Sequence, residues 1–169
     1  MSPNGEPLLR VEKLVKAFGG FQALAGIGFH VAAGEVLGLV GPNGSGKTTC
    51  INVISGLYPP TAGQVLLEGR NVAGLPSHRL VHLGIARTFQ VPKPFMTLTV
   101  RENVEIAASY GGGKPVDIDA VLATVNLDGV SAKPAADLNS VQQKMLDLAR
   151  ALATSPRLLC VDELAAGLS

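Results

Sequence analysis

The N-terminal third alternates. From Leu8 to Val15 the apolar side chains fall at Leu9, Val11 and Val15, with Arg10 and Glu12 between them, the two-residue period of a half-buried strand. A second strand fits Phe21 to Val31, closed by Ala33-Gly34, and Gln64 to Glu68 fits another between the turn signals Ala62-Gly63 and Gly69. Glu35 to Val40 breaks the alternation with a continuous apolar run, as expected of a strand covered on both faces in a parallel sheet. Thr48 to Ser55 predicts a helix, stopped by Gly56 and then Pro59-Pro60.

In the second half of the chain the period becomes helical. Thr99 and Glu102 form a capping-box pattern ahead of Val100, Val104 and Ala108, which share one helical face. Gly111-Gly112-Gly113 is a loop, and Asp117 to Val125 a short helix. Ser140 to Ala153 is the strongest helix, with Val141, Met145, Leu148 and Leu152 on one face and Lys144, Asp147 and Arg150 spaced for i,i+3 pairing on another. Pro156 ends it, and Leu158 to Val161 is a second buried-strand run that finishes at Asp162-Glu163.

Composition narrows the function classes. The 169 residues suit one domain with a substantial core, and 14 Lys plus Arg against 13 Asp plus Glu leave a net charge of +1. That balance, with aromatics at 4% and no Trp, gives no support for a nucleic-acid partner. Charged residues at 16% and apolar ones at 47% exclude intrinsic disorder. Cys50 and Cys160 sit in apolar stretches and read as small buried hydrophobes, not a disulfide scaffold. The N-terminal residues lack the basic and apolar segments of a signal peptide, and Leu24 to Val40 is too interrupted for a membrane span, so a soluble protein of a reducing compartment is expected.

The chemistry begins at Gly41-Pro42-Asn43-Gly44-Ser45-Gly46-Lys47-Thr48, which matches the phosphate-binding loop pattern of Gly, four residues, then Gly-Lys-Ser/Thr. The glycines let the backbone curl so that successive N–H groups face phosphate oxygens, and the following helix turns its positive end to the same anion. Lys47 is placed for the β- and γ-phosphates and the Thr48 hydroxyl for Mg²⁺. The loop follows an apolar run and opens an apolar helix, the context in which the pattern carries weight. Asp162-Glu163 stands at the carboxyl end of a strand, where open α/β sheets place their ligands. Asp162 is the candidate for Mg²⁺ and Glu163 for the general base that polarises the attacking water.

With these motifs in one order, the chain resembles the ATP-binding subunits of ABC transporters from about Leu8 to Ser169. The resemblance implies a fold, an α/β P-loop NTPase (RecA-like) parallel-sheet core with an N-terminal antiparallel β subdomain and a helical subdomain at about 91–150. It makes Phe18, ahead of Gly19-Gly20, the aromatic that stacks on adenine, and Gln90, in Arg87-Thr88-Phe89-Gln90, the glutamine that senses Mg²⁺ and the attacking water. Asp162-Glu163 matches the Walker B pair, and Ala166-Gly167-Leu168-Ser169 the opening of the D-loop. Nucleotide contacts are then expected from Gly41 through Thr49, and from Asn139, Ser140 and Gln142 at the signature position. Phe18-Gly19-Gly20, Arg87 to Gln90, Met96 to Asn103 and Ala165 to Leu168 are similar to the ATPase subunits of branched-chain amino-acid importers. The implied cofactors are ATP and Mg²⁺. The implied partners are a second ATP-binding subunit, head to tail, and transmembrane permease subunits, which would hold the chain peripherally on the cytoplasmic face of the membrane.

Two departures set against this a nucleotide-binding but non-catalytic fragment or degenerate half-site. The signature serine and glycine of the family are Asn139 and Val141 here. Asn is a good helix N-cap, but a β-branched side chain stands where glycine allows close approach to phosphate. The family's further core strands and switch histidine have no counterpart up to Ser169, so a single incomplete cassette over 1–169, slow or inactive alone, is expected. Leu164 replaces the proline usual after the glutamate. A GTPase is disfavoured because no Asn-Lys-x-Asp guanine reader is present. His78 and His82 have a metal-ligand spacing but no third ligand, and His30 reads as structural. Phe95, Met96 and Leu98 fit core packing and a permease-docking surface equally well.

Overall fold

In the computed structural model, residues 6–112 and 115–162 are described. They divide into two units, Met1–Leu80 and Val81–Ser169.

In the first unit, β1 (Leu9–Phe18) and β2 (Phe21–Val31) pair as an antiparallel hairpin closed by Gly19-Gly20. Leu9 and Val11 enter the core as expected, but Leu14 follows them and Val15 does not. The cause is a bulge: Lys13 takes a positive φ of 47° and the register to β2 shifts between Val11 and Leu14. One extra residue exchanges the faces of everything after it. β3 (Ala62–Leu67) pairs with the other side of β1 and with β4 (Arg70–Asn71), giving the order β2-β1-β3-β4. The β3–β4 turn is Glu68-Gly69, both at positive φ, the two-residue geometry that matches strand twist.

α1 (Lys47–Ile54) buries Cys50, Val53 and Ile54. It stops where Gly56 takes φ 75°, and a Cβ there would lie 2.4 Å from the Leu75 carbonyl oxygen. The strand expected over Glu35 to Val40 does not form: 36–40 is irregular, and Val36 and Val40 are each 97% exposed. A strand buried on both faces is stabilised only by flanking strands and covering layers, and neither described sheet includes this run.

α2 (Ser77–His82) crosses the boundary between the units. In the second unit β5 (Ile85–Arg87) and β6 (Leu158–Cys160) pair in parallel, Ile85 opposite Leu158 and Arg87 opposite Cys160. Beside them lie α3 (Val100–Ser109), α4 (Ile118–Thr124) and α5 (Ser140–Ala153). The expected Thr99–Glu102 capping box starts α3, and Asp117 caps α4 by accepting from the Ala120 N–H. Val100, Val104, Leu122, Leu127, Leu146, Ala149 and Ala153 form one core cluster. The buried stripe of α5 is therefore Leu146, Ala149 and Ala153, one position round from the expected face. Met145, Leu148 and Leu152 flank it, and Val141 is 37% exposed. Small alanines let a helix approach its neighbours closely, so the larger side chains fall to the margins. Among the described residues, no helix is long and apolar enough to cross a membrane.

Candidate nucleotide-binding site

The 41–48 loop opens α1 as the pattern requires. Gly46 is the N-cap, left-handed at φ 91°, and Gly44 has φ 80°. Lys47 Nζ donates to the Gly41 and Pro42 carbonyl oxygens at 2.7 and 2.8 Å, and Ser45 N–H donates to the Pro42 oxygen at 3.2 Å. The ammonium thus draws the loop closed around itself. These charge-assisted bonds are what triphosphate oxygens would replace. Space is tight at two glycines. A Cβ on Gly41 would lie 2.7 Å from Ser45 Oγ, and one on Gly46 2.6 Å from the Ala23 oxygen and 2.9 Å from Leu24 Cδ2. Gly46 accordingly presses the loop onto β2. The first turn of α1 carries no acidic residue, so nothing opposes an anion at the helix's positive end. Asn43, Thr48 and Thr49 lie in the same loop and first turn.

Phe18 ends β1 and is 43% exposed. Its ring meets Tyr58 edge to face, with centroids 5.3 Å apart and planes at 84°. The sequence singled out Phe18 but not its aromatic neighbour, which the loop after α1 brings back across about 40 positions of chain separation.

In the second unit, Asp162 follows β6 and is buried, 6% exposed, with its N–H directed at Thr88 Oγ1 at 3.4 Å. Thr88 N–H in turn donates to the Cys160 oxygen at 3.0 Å, extending the β5–β6 ladder by one rung. Gln90 is exposed two residues on. Around it, Phe89 N–H donates to Asp147 Oδ2 at 2.7 Å, and Arg150 donates to the Lys93 oxygen at 3.0 Å while lying over the Phe95 ring at 5.3 Å. Asn103, fully buried, accepts from Phe95 N–H at 2.8 Å and donates to the Phe95 and Thr99 oxygens at 3.0 and 2.9 Å. The loop bearing Gln90 is therefore tied to α5 at two points and to α3 at a third.

The i,i+3 spacing of Lys144, Asp147 and Arg150 predicts a pairing row, and the Asp147–Arg150 pair exists at 3.9 Å. The spacing misses the larger task of Asp147: the carboxylate is 5% exposed and serves the loop backbone. The available signal was an acid directly beside the Leu146, Ala149, Ala153 stripe. Burial pushes the Asp147 carboxyl above its ordinary range, against the Phe89 N–H bond and the Arg150 and Arg87 charges.

Asn139 caps α5 by accepting from Gln142 N–H at 2.9 Å, while Gln142 Oε1 accepts from Asn139 N–H at 3.2 Å. The substitution at this position thus keeps a complete capping box. Ser140 opens the helix, and Val141 stands exposed beside it. Glu163, Leu164 and the 166–169 segment lie outside the described residues.

Magnesium takes hard oxygen donors and needs only one or two from protein. Taken singly, the Thr48 hydroxyl of the first unit and the Gln90 amide oxygen and buried Asp162 carboxylate of the second are each oxygen donors of that kind, a buried carboxylate being a group that a cation stabilises. No cluster of three or more His, Cys, Asp or Glu occurs among the described residues; His78 and His82 are exposed on α2 and His30 on β2. Phe95 and Met96 are 48% and 46% exposed, which removes the core-packing option for both.

Comparison with known proteins gives this geometry a family. Residues 24–166 match the family described as ABC transporter. The chain is 35% identical to the probable branched-chain amino acid transport ATP-binding protein LivG of Methanocaldococcus jannaschii, over 96% of this chain and 70% of that one. It is 35% identical to the high-affinity branched-chain amino acid transport ATP-binding protein BraF of Pseudomonas aeruginosa (96% and 71%). It is 32% identical to LivG of Escherichia coli K12 (97% and 72%). Among solved structures, an ATP-binding cassette of an ABC transporter in its ADP conformation aligns with a TM-score of 0.85 at 34% identity, over 97% of this chain and 71% of that one. A nucleotide-free cassette aligns equally well, at 0.85 and 34%, over 97% and 72%. The antiparallel sheet, the phosphate loop opening α1, the parallel β5–β6 pair and the helical cluster are thus parts of a P-loop NTPase fold, and the chain belongs to the ABC transporter family as an ATP-binding cassette.

Proposed function

We propose that the chain binds and hydrolyses ATP to energise an importer, and that the imported solutes are branched-chain amino acids. The observation that carries the nucleotide reading is the closed 41–48 loop, with Lys47 held on the Gly41 and Pro42 carbonyls at the uncapped positive end of α1. The solute is proposed from relatives alone, all three of whose names specify branched-chain amino acid transport.

In this reading Phe18 stacks on adenine. The main-chain N–H groups of the 41–49 segment, which Pro42 lacks, surround the phosphates, and Lys47 exchanges its carbonyl partners for β- and γ-phosphate oxygens. Thr48, Asp162 and Gln90 are the residues that would hold Mg²⁺, which would supply positive charge to offset that of the phosphates. Glu163 takes the proton of the attacking water. Asn139, Ser140 and Gln142 face the γ-phosphate of a second cassette arranged head to tail, and closing that interface strengthens each contact by excluding water. The helical subdomain is proposed as about 91–150. Its exposed Phe95 and Met96, with Phe89 at 48% and Val91 at 67% exposure, suit docking of a permease on the cytoplasmic face of the membrane.

A second reading, a cassette that binds nucleotide but completes a weak site on its partner, is favoured by Val141 standing exposed in the first turn of α5. ATP hydrolysis by the chain assembled with its permease partners separates the two. The first reading expects turnover that falls by orders of magnitude with Glu163→Gln while ATP binding persists. Binding without turnover in the unsubstituted assembly selects the second, and absence of both overturns both.

A further inference from the structure

Phe18 does not stand alone. Lys16 Nζ lies over the Phe18 ring at 4.8 Å from its centroid and over the Tyr58 ring at 5.8 Å, while the two rings meet edge to face. The backbone fixes all three. Lys16 Nζ donates to the Pro59 oxygen at 2.9 Å, Ala17 N–H to Thr61 Oγ1 at 2.9 Å, and Thr61 N–H to the Val15 oxygen at 2.8 Å. On the other side Tyr58 N–H donates to the Asn52 oxygen at 3.3 Å, so the loop after α1 folds back along its own helix. Val15, Lys16 and Ala17, the three residues that precede Phe18 in β1, are thus stitched to the 58–61 loop. The arrangement lies close to the phosphate loop: Lys16 pairs across the hairpin with Leu24, whose Cδ2 is among the atoms nearest Gly46. Phe18 is two residues further along β1, about 7 Å at strand rise.

We propose that Tyr58 and Lys16 are positioning residues for the base of the nucleotide: they set the plane of the Phe18 ring and hold it ready for stacking. An exposed phenylalanine at a hairpin tip samples several rotamers, and ordering it on binding costs affinity. The edge-to-face contact with Tyr58 and the Lys16 cation over the ring remove most of that freedom beforehand, while the 43% of Phe18 that stays exposed is available to a planar base. The loop tethers make the arrangement respond to α1, so the helix that opens at the phosphates also carries, just past its far end, the residue that orients the base platform. This rests on Phe18 being that platform, and the test below separates the two.

The experiment measures displacement of a fluorescent ATP analogue from the full chain by ATP and by inorganic tripolyphosphate. Both competitors use the phosphate loop, and only ATP carries a base. The expected result is that Tyr58→Leu weakens ATP about three- to tenfold and leaves tripolyphosphate unchanged, while Tyr58→Phe, which keeps the aromatic edge, restores the ATP value. Lys16→Met, which keeps the aliphatic stem, weakens ATP about two- to fivefold with tripolyphosphate again unchanged. Equal losses for both competitors mean a role in folding or in general electrostatics and overturn the proposal. If Phe18→Ala weakens ATP selectively but Tyr58→Leu and Lys16→Met do not, the positioning roles are wrong and the platform stands. If Phe18→Ala leaves ATP and tripolyphosphate both unchanged, the platform itself is wrong and the positioning roles fall with it.

Discussion

Removing the carboxylate of Asp147 tests whether the loop bearing Gln90 is anchored to α5. Asp147 Oδ2 accepts the Phe89 N–H at 2.7 Å from a position only 5% exposed. In Asp147→Ala that amide loses its acceptor. A hydrogen bond to a charged group contributes about 1.5–3 kcal/mol, and relief of the buried charge returns roughly 1 kcal/mol of it. The net loss is therefore about 0.5–2 kcal/mol, or roughly 1–8 °C in melting temperature for a chain of this size. Asp147→Asn keeps an acceptor oxygen without the buried charge, so it should stay within about 1 kcal/mol of the unsubstituted chain. The gap between the two variants, read by thermal unfolding, isolates the hydrogen bond from the charge. Amide exchange at Phe89 reads it directly and should accelerate in Asp147→Ala alone. The sign of the pH effect follows from burial raising the carboxyl's pKa in the folded state. The folded form then binds the proton more tightly than the unfolded form, so this residue's contribution favours folding at acid pH. It is lost as pH rises through the raised value. Asp147→Asn should abolish that part of the slope. Equal melting of the Ala and Asn variants, with unchanged exchange at Phe89, would refute the anchoring.

Val141→Gly should raise ATP turnover of the assembled cassettes several-fold by letting the start of α5 approach phosphate, and an unchanged rate removes Val141 as the obstacle. Gly63→Ala should cost about 2 kcal/mol or more in denaturant unfolding, because Gly63 has φ 91° and an added Cβ would lie 2.3 Å from the Lys13 oxygen at the β1 bulge. Gly38→Ala meets nothing within 4 Å and should lie within about 0.5 kcal/mol of the parent; similar values for the two would contradict the bulge packing. Burial pushes the Cys160 thiol up to about 11, so it should resist alkylation near neutral pH until the chain unfolds, and fast labelling of folded protein would contradict its placement in β6.

Local signals were legible where one short segment carries the whole instruction. The Thr99–Glu102 capping box, the Asn139 N-cap, the short helix expected over 117–125 and the 140–153 helix all formed close to their expected positions. The phosphate loop was legible for the same reason: Gly44, Gly46 and Lys47 specify backbone turns and one ammonium within a single turn of chain. What the sequence hid depends on distant partners. Lys13 gives no sign that it will bulge, because the bulge is completed by Gly63 from β3. Val36 to Val40 has the composition of a buried strand, but pairing decides whether such a run becomes one. Asp147, Asn103 and Tyr58 look like ordinary polar or aromatic positions until chain separations of 58, 8 and about 40 residues are closed by the Phe89, Phe95 and Phe18 contacts.

The central claim is that the 41–48 loop grips a nucleoside triphosphate through main-chain amides and Lys47. The most direct measurement is equilibrium binding of Mg-ATP to the full chain and to Lys47→Ala, whose loss leaves the Gly41 and Pro42 oxygens without their ammonium partner. Saturable binding that weakens roughly tenfold or more in Lys47→Ala, with tripolyphosphate competing in the parent, is the expected result. Equal ATP affinity in the two proteins would contradict it.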